Sequence, residues 1–500
     1  MLFFQQPALH HGKLFTNCIT LAAMKPLLAC ILTAGLFFSM GLAGPQEALD
    51  TRTVTVLYTN DEHGWMEGMS PDQGAANLYQ LWQEQEAYTE DGAFLLLSGG
   101  DNWTGPAIST WTQGESMVEV MNAMHYDASA VGNHEYDFGL DALTQRIAQA
   151  DFPYLSANTR WKDNGKVPRD LGILPYTIIN VNGLEIGIIG LTTTSTPYVT
   201  NPSYVSKLDF IDYEKAVRET MPALVGTDLQ FIIAHVCMDA LEPLVRNISD
   251  LGIDLAGGGH CNELVAKTLG STVVLGGGFH FTTYARADFT IDMTSKTVSH
   301  SNLGTTRNRG ANPDTGITGI VQEWAAKSAD SLNEVIGWSA RSVPRGEVLD
   351  QAIINSWLKA YPDADIAITN RGGIRTALPE GKITLSDIVN ILPFDNTIIS
   401  VNLSGLDIAK AMEEGGRPVA AGLEQQNNRW VLTETGTPMK PEEIYTVLLN
   451  SFMYAGGDNF SAIADAAPNG FDTRVNYRQP FVDWIKSRES ARNTPFTLDK

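Results

Sequence analysis

The sequence has few cysteines, few basic residues and only one long apolar run. Two of its four cysteines lie within residues 1–43, which leaves Cys237 and Cys261 for the rest of the chain. A disulfide framework is therefore not expected to stabilise this protein. We expect these two side chains to be buried free thiols, with a disulfide between them as the alternative if their strands are neighbours. Lysine and arginine total 34 against 57 aspartates and glutamates, giving a formal net charge of −23. That charge argues against a nucleic-acid polymer or an anionic membrane surface as the main partner.

The long apolar run, residues 27–43, predicts an export signal. Lys25 precedes the run and small residues end it around Ala43, which is typical of a cleavage site. Met24 is a better candidate than Met1 for the start of translation, because residues 1–23 do not form the charged segment typical of an export signal. An uncleaved anchor is the alternative, since the run approaches the length that spans a bilayer, but the small residues favour cleavage. We therefore expect an exported protein, periplasmic or extracellular, with no membrane span after cleavage.

The length of 500 residues exceeds what one hydrophobic core normally serves, so two domains are expected. Residues 51–312 alternate short apolar runs with amphipathic stretches, and Asn182-Gly183 is a hairpin signal. Together these patterns predict an α/β fold in which two sheets pack as a sandwich. Residues 313–344 are predicted to form a linker helix region. Residues 345–500 have strand and helix patterns of their own, which predict a smaller α/β domain.

Polar side chains that can bind metals follow five of the predicted strands. Because ligands bind beyond the carboxyl ends of strands in open α/β sheets, we expect these side chains to meet. In chain order they are Asp61 and His63, Asp101, Asn133 and His134, His235, and His260 with Asn262. Each of them alone is more often a turn or core residue, but the whole ordered set predicts a metal centre.

The chemistry of these donors indicates transition metals. Asp61 and His63, at positions i and i+2 of an extended segment, face the same way and can hold one cation together. Asp101 follows two glycines, and its two carboxylate oxygens can bridge two ions. Mixed nitrogen and oxygen donors suit Mn, Fe, Zn or Co. We predict two divalent ions of this kind, in the arrangement that hydrolyses phosphoesters.

His134 and Asp137 are predicted to form a catalytic pair beside the ions. While Asn133 ligates a metal, its neighbour His134 would face the substrate. Asp137 can hold the other imidazole nitrogen and fix the tautomer. A cationic His134 would then stabilise the transition state or protonate the leaving oxygen.

These motifs, in this order, resemble those of the calcineurin-like metallophosphoesterases, and specifically the exported bacterial 5′-nucleotidases with a C-terminal substrate domain. The resemblance runs from about Val54 to the C-terminus, and its most specific part is the segment Asn133–Asp137. It implies a catalytic pair of His134 and Asp137 beside two ions, with Asp101 bridging them. The implied metal ligands are Asp61, His63, Asp101, Asn133, His235 and His260.

One position departs from that family. Where many relatives have a second imidazole, this chain has Asn262, whose amide oxygen can still ligate a metal but is a weaker donor for Zn. His280 is an alternative ligand, although we interpret it as an ordinary strand histidine.

The C-terminal region contains a candidate substrate pocket. Arg371 and Arg375 flank paired glycines and suit an anion, because guanidinium groups bind phosphate with forked geometry. A solvated charged turn is the alternative. The family resemblance supports an anion site and implies that Arg371 and Arg375, in the substrate-binding motif that begins at Asn370, hold the substrate's anionic end. It also implies that Phe452 is one aromatic wall around a base and that Asp458 contacts the ribose.

The second aromatic wall of that family is missing from residues 415–425, and the next aromatic residue is Trp430. A base gains about 1–3 kcal/mol from stacking on an aromatic face. The pocket would then bind nucleotides weakly, use Trp430 as a replacement, or take another phosphoester.

The expected activity is release of phosphate from nucleotides, chiefly nucleoside 5′-monophosphates, by attack of a metal-bridging hydroxide. One alternative is a sulfur-compound thiohydrolase of the same two-domain build, which Gly100–Gly105 and Ser109–Thr112 somewhat resemble. The intact segment Asn133–Asp137 argues against it. A cyclic or 3′-nucleotide phosphodiesterase is also open, and so is a non-catalytic nucleotide-binding protein. Simple binding, however, would not require the His134–Asp137 pair.

Overall fold

The computed structural model describes residues 50–498, so the predicted export signal lies outside the described part of the chain. Among these residues, no helix is both long enough and apolar enough to cross a membrane. Residues 51–307 contribute the strands of two large mixed sheets, and residues 366–476 contribute those of a third.

The first sheet contains six of the described strands, and its four strands from Thr51–Thr59 to the edge strand Tyr154–Leu155 are parallel. The strand Thr51–Thr59 pairs in parallel with Phe94–Ser98, which pairs in parallel with Ala128–Ala130. These strands end in three of the predicted site segments, so the segments emerge at one edge of the sheet. Across the sheet the strands are Thr297–Arg307, Thr283–Asp292, Thr51–Thr59, Phe94–Ser98, Ala128–Ala130 and Tyr154–Leu155.

The second sheet contains another six of the described strands. At one edge, Asn182 and Gly183 have φ angles of 53° and 72° and connect two antiparallel strands in which Val181 pairs with Leu184. Two residues with positive φ form the turn that tight hairpins prefer, and the predicted hairpin is confirmed. Across the sheet the strands are Leu264–Leu269, Thr272–Gly277, Leu255–Gly258, Leu229–His235, Leu184–Thr192 and Tyr176–Val181.

The two sheets pack face to face and are covered by helices on their outer faces. Side chains alternate along a strand, so Val56 and Tyr58 lie in the layer between the sheets while Leu57 packs under the helices. The rings of Phe231 and Phe289 meet between the sheets, with their centroids 5.1 Å apart. The predicted two-sheet α/β sandwich is confirmed.

Helices in this part of the chain are short and bury one apolar face. In Ala75–Gln85, for example, Leu78, Leu81 and Trp82 are buried against the first sheet. The other helices are Ala107–Thr110, Glu115–Ala123, Gly139–Gln149, Thr196–Val199, Tyr213–Thr220 and Met238–Asn247.

The helix Thr315–Leu332 leads from the two sheets to the third. Asp314 begins it by accepting a hydrogen bond from the backbone N–H of Ile317 at 2.9 Å, as N-terminal caps do. The indole N–H of Trp324 donates to Glu119 at 2.9 Å, which fixes the helix against the first part of the chain.

The third sheet has apolar side chains on both faces. Ala367 and Leu448 belong to one buried cluster, while Ile368 and Leu449 belong to the cluster on the opposite face. Its strands are Pro418–Ala421, Ile366–Asn370, Ile444–Asn450, Thr397–Ser404 and Phe471–Asn476. The accompanying helices are Glu347–Ala360, Leu385–Ile391, Gly405–Glu414, Ser451–Tyr454, Ser461–Ala466 and Gln479–Lys486.

Three short strand pairs lie beside these sheets in the described part of the chain. They are Thr159–Trp161 with Leu208–Phe210, Val335–Ser339 with Gly381–Thr384, and Leu423–Gln426 with Arg429–Leu432.

The C-terminal part touches the sandwich close to the strand ends. The backbone N–H of Ala107 donates to Asn390 at 2.6 Å, and Ala107 packs with Leu332 and Val389. The ring of Phe394 stacks on that of His134, with 5.8 Å between centroids. A cleft between the two parts therefore opens directly onto the predicted metal-binding residues.

Candidate active site

Asp101 lies at the centre of the predicted metal-binding side chains. Its Oδ2 atom is 2.9 Å from Nε2 of His235, 3.9 Å from Nε2 of His63 and 4.0 Å from Nε2 of His134. Two groups of possible ligand atoms, each within 4.8 Å of one another, share this carboxylate. One group adds His63 and His134, and the other adds His235 and His260. A carboxylate common to two groups has the position of a bridging ligand.

Asp61 faces the same centre with an oxygen that lacks a partner. Its Oδ1 atom lies 3.8 Å from Nε2 of His63 and accepts no hydrogen bond within residues 50–498, although it is buried. An unsatisfied buried acceptor costs about 1–3 kcal/mol. Burial raises the pKa of Asp61 to about 7. A cation at this position would satisfy the oxygen and favour the ionised carboxylate, so the residue fits a metal ligand.

Backbone carbonyls orient two of the imidazoles toward this centre. Nδ1 of His63 is 2.8 Å from the carbonyl of Thr104, and Nδ1 of His235 is 2.8 Å from the carbonyl of Gly99. A ring N–H that donates to a carbonyl leaves the lone pair of Nε2 available for a metal. The donor set therefore fits divalent transition metals.

Asn133, His260 and Asn262 lie around the second group. Oδ1 of Asn133 and Nδ1 of His260 are each 3.2 Å from Nε2 of His235. Asn262 is exposed and lines the cavity in front of the group. Six of the seven predicted metal ligands thus lie within 4 Å of another member of the set, and Asn262 lines the same cavity.

Backbone strain is concentrated in these ligands. Five of them have a positive φ, which is uncommon for residues other than glycine and is found disproportionately at functional sites. They are Asp61 at 53°, His63 at 47°, Asp101 at 60°, His260 at 74° and Asn262 at 58°.

Two buried glutamates hold the strand-end loops in place, and sequence reasoning gave neither of them a role. Glu135 accepts hydrogen bonds from the backbone N–H groups of Asp101, Asn102 and Gly132, at 2.9, 2.7 and 2.6 Å. Glu62 accepts hydrogen bonds from the side chains of Ser98 and Asn102. The signal was their position, since each glutamate directly adjoins a predicted site residue in the sequence.

His134 and Asp137 form a close pair at the edge of the metal site. Nδ1 of His134 is 2.6 Å from Oδ2 of Asp137, whose other oxygen accepts a hydrogen bond from Thr200 at 2.9 Å. Burial lowers the pKa of His134, but Asp137 and Asp101 raise it more, so the net shift is upward. This arrangement favours a cationic imidazole with Nε2 facing the cavity.

His280 lies in a turn rather than in a strand, so our interpretation of it as a strand histidine is wrong. The turn follows Thr272–Gly277, and the ring of His280 stacks on Trp65 with 4.9 Å between centroids. Within residues 50–498 it belongs to neither group of possible ligands. Its backbone N–H donates to the carbonyl of Asp61 at 2.9 Å, which supports that loop.

Cys237 and Cys261 are joined in a disulfide, so the expectation of two free thiols is wrong. Their Cα atoms are 5.2 Å apart, which is a normal separation for a bridged pair. They lie in neighbouring strand-end loops, and the sequence alone did not fix that the two strands adjoin.

The predicted anion-binding arginines have different surroundings. Arg375 lines the cavity together with His134 and Asp101, and its guanidinium forms no ion pair within residues 50–498. The side chain of Arg371 instead donates to Asp350 at 2.7 Å and does not line the cavity. The geometry therefore favours Arg375 as the group that receives an anion.

Asn370, Phe452 and Asp458 line the same cavity, which has a volume of about 330 Å³. Asn370 donates to Asp458 at 2.7 Å. The ring of Phe452 packs closely on Gly457, because a Cβ atom at Gly457 would lie 2.2 Å from that ring. The structure brings these three predicted substrate residues to one wall.

The missing aromatic wall is not replaced by Trp430, which packs beside the buried cluster of the third sheet and does not line the cavity. The residue from segment 415–425 that lines the cavity is Arg417, at a φ of 50°. The backbone N–H of Gly416 donates to the carbonyl of Asp458 at 2.7 Å, which fixes this loop beside Asp458. A guanidinium from this segment therefore lines the same cavity as Phe452 and Asp458.

Known proteins resemble this chain over most of its length. Residues 326–465 match the family model described as 5′-nucleotidase, C-terminal domain. A 5′-nucleotidase from Vibrio parahaemolyticus is 27% identical over alignments that cover 87% of this chain and 90% of the relative. A protein named as a cell wall protein from Listeria monocytogenes is 24% identical and covers 92% of this chain and 71% of the relative.

A solved structure also has this fold. The 5′-nucleotidase precursor from Thermus thermophilus superposes with a TM-score of 0.72 at 23% sequence identity. The superposition covers 90% of this chain and 100% of the Thermus chain.

Proposed function

We propose that this chain, which belongs to the 5′-nucleotidase family of metallophosphoesterases, is a metal-dependent hydrolase that releases phosphate from nucleoside 5′-monophosphates. The observation that carries the proposal is one cavity with three kinds of group along its wall. These are the shared carboxylate Asp101, the pair of His134 with Asp137, and the guanidinium of Arg375, which forms no ion pair among the described residues.

The metal ligands in this proposal are the seven residues predicted from the sequence. Two divalent ions, chosen from Mn, Fe, Zn and Co, would be held by Asp61, His63, Asp101, Asn133, His235 and His260, with Asn262 as a weaker donor. Such ions lower the pKa of a water molecule and neutralise phosphate charge. The unsatisfied oxygen of Asp61 and the shared position of Asp101 support this assignment.

His134 acts on the leaving-group side of the phosphate. Asp137 accepts a hydrogen bond from the Nδ1–H group of His134, which leaves Nε2 directed at the cavity. A cationic imidazole there can donate its proton to the ester oxygen as the bond to phosphorus breaks. Thr200 holds Asp137 and thereby keeps the pair aligned.

Arg375 holds the phosphate, and Phe452 with Asp458 holds the nucleoside. A guanidinium binds phosphate through forked hydrogen bonds, and the described neighbours of Arg375 leave it free to do so. A phenyl ring stacks on a base, and a carboxylate can accept hydrogen bonds from ribose hydroxyls. The cavity is large enough to lie within the range of small-molecule sites.

We also propose that the protein is exported, to the periplasm or the cell exterior, and that residues 51–312 and 345–500 are separate domains joined through residues 313–344. The disulfide between Cys237 and Cys261 supports export, because disulfides persist in oxidising compartments. The family resemblance and the connecting helix Thr315–Leu332 are the basis for proposing that one domain rotates against the other and carries substrate to the metals.

The test of the activity is product analysis after incubation of the purified mature chain with added Mn or Co, measuring phosphate released from monoesters and the cleavage products of the other substrates. The substrates are AMP, UDP-glucose, cyclic nucleotides, p-nitrophenyl phosphate and a thiosulfonate. We expect AMP to be the best of them. Turnover of the thiosulfonate alone would instead establish the thiohydrolase, and binding without turnover would establish a nucleotide-binding protein.

The test of the phosphate site compares two neighbouring arginines. Arg375→Ala should lower kcat/KM for AMP by about 100-fold, as loss of a charged hydrogen-bond donor does. Arg371→Ala is the matched control and should retain most of the activity, because its side chain is bound to Asp350. A larger loss in Arg371→Ala than in Arg375→Ala would overturn the assignment.

A further inference from the structure

The two cysteines lie opposite each other because of the strand register. In the parallel pair that ends at His235 and Gly258, Phe231 faces Leu255, an offset that holds through the pair. The same offset, continued beyond the strands, brings Cys261 beside Cys237, and the disulfide that joins them spans a sequence separation of 24 residues. The bond therefore joins the two loops that carry His235 and His260.

His260 depends on this loop for its position. Its φ of 74° is one that few residues other than glycine adopt, so its neighbours must hold it there. On one side the backbone N–H of Gly259 donates to the carbonyl of Val236 at 3.1 Å. On the other side the disulfide ties Cys261 to Cys237, the residue directly before the helix Met238–Asn247.

The disulfide lies at the surface of the molecule rather than in its core. Cys261 is exposed and Cys237 is half-buried. Within residues 50–498, neither cysteine belongs to a buried apolar cluster. Breaking the bond should therefore free the loop of His260 without unfolding the two sheets.

We infer that Cys237 and Cys261 are positioning residues for the metal centre: their disulfide holds His260 in the second ligand group, and its reduction weakens metal binding there. The inference rests on the proposed function only in taking Asp101, His235 and His260 as ligands. It adds a redox dependence, since a reducing compartment or reagent would lower the metal content of the protein.

The reducing step balances with a phosphine reagent. Tris(carboxyethyl)phosphine takes an oxygen atom from water and becomes the phosphine oxide, while the sulfur–sulfur bond breaks and each sulfur gains a proton and becomes a thiol. Mutation to serine gives the same loss of the bond without creating thiols that could themselves bind the metal.

The experiment measures bound metal rather than turnover. The mature chain is loaded with Mn or Co, dialysed, and analysed for metal per chain, before and after reduction and in the variant Cys237→Ser/Cys261→Ser. We expect the reduced protein and the variant to lose about one ion per chain and to need about 10–100-fold more metal for half-saturation, as loss of a supporting contact does. At saturating metal, the KM for substrate should be unchanged.

Two controls separate positioning from a general loss of structure. Circular dichroism should show the same folded signal in all forms, and the serine variant should not respond to the phosphine. If the variant does not fold, reduction of the native chain provides the same measurement. Unchanged metal retention after complete reduction would overturn the inference. Because metal retention needs no turnover, a failure of the proposed phosphatase activity would be seen separately.

Discussion

At the residue scale, the carboxylate of Asp101 is placed both to bridge two metal ions and to hold the backbone of His134. Burial raises its pKa, but His235 and His134 lower it more, so the carboxylate stays ionised. Its second oxygen accepts a hydrogen bond from the backbone N–H of His134 at 2.8 Å. The same residue that would join two ions therefore also fixes the backbone of the proposed proton donor.

Substitution of His134 tests that proton donor. His134→Ala should lower kcat for AMP by about 100-fold or more, the usual contribution of a general acid, while metal per chain stays near normal. Phosphate release and metal analysis on the same sample check both parts. Full activity in His134→Ala would show that another group protonates the leaving oxygen.

Substitution of Arg417 tests whether its guanidinium takes the place of the missing aromatic wall in the nucleoside site. Arg417→Ala should raise the KM for AMP by about tenfold, within the range of one stacking contact, and leave the KM for p-nitrophenyl phosphate unchanged. Arg417→Phe should keep AMP binding, because a phenyl ring offers a stacking face in the same place. Trp430→Ala is the control and should change neither KM. An equal rise for both substrates in Arg417→Ala would place Arg417 at the phosphate instead.

At the scale of elements, the site depends on how strand ends are tied together. Glu135, in the short turn His134–Tyr136, accepts hydrogen bonds from backbone N–H groups in the loop of Asp101. Asp127 has a comparable part at the beginning of the strand Ala128–Ala130. It accepts a hydrogen bond from the backbone N–H of Leu96 at 2.7 Å, which joins two neighbouring strands of the first sheet.

The carboxyl group of Asp127 should make the free energy of unfolding depend on pH. Burial raises its pKa to about 6, so its protonated form is favoured in the folded chain. That stabilisation is present at pH 4 and below and is lost as the pH rises through about 6. Asp127→Asn should therefore gain up to about 2 kcal/mol of unfolding free energy relative to the native chain between pH 4 and pH 7.

Urea unfolding of both proteins at several pH values measures that difference. Asp163→Asn, at an exposed position, is the control and should keep a constant difference. A difference for Asp127→Asn that does not vary between pH 4 and pH 7 would contradict the prediction.

At the scale of the whole molecule, we expect metal binding to stabilise the two-sheet part of the chain. Asp61, Glu62, Asp101 and Glu135 bury four carboxyl groups near the strand ends. Cations at this site would compensate the negative charge of these carboxyl groups. Among the described residues, the third sheet contributes none to either ligand group, so the effect should be confined to the two-sheet part.

Calorimetry with and without EDTA tests this coupling together with the proposed domains. We expect two transitions, and chelation should lower the one from the two-sheet region by about 5–10 °C, because a ligand at 100 times its dissociation constant stabilises by about 2.7 kcal/mol. The other transition should not move. Asp61→Asn should reduce the effect of EDTA, and a single transition would argue against independent domains.

Much of the fold and most of the candidate site could be predicted from the sequence for local reasons. Alternation of apolar residues, the Asn182-Gly183 turn and the polar residues after five apolar runs are properties of short segments. Parallel strands place such ends at one edge, so an ordered set of donors leads to a common site. The same local logic explains why Glu62 and Glu135 were missed, because their hydrogen bonds join segments about 35 residues apart.

Only the tertiary structure decided the contacts between strands and loops that are distant in the sequence. The offset between the strands ending at His235 and Gly258 joined Cys237 to Cys261. The position of Asp350 gave Arg371 a hydrogen-bond partner away from the cavity, while Arg375 lines the cavity. The loop at Gly416 brought Arg417 to the cavity and left Trp430 outside it. Sequence patterns carry the periodicity of single elements, whereas these contacts arise from the packing of elements that are distant in the chain.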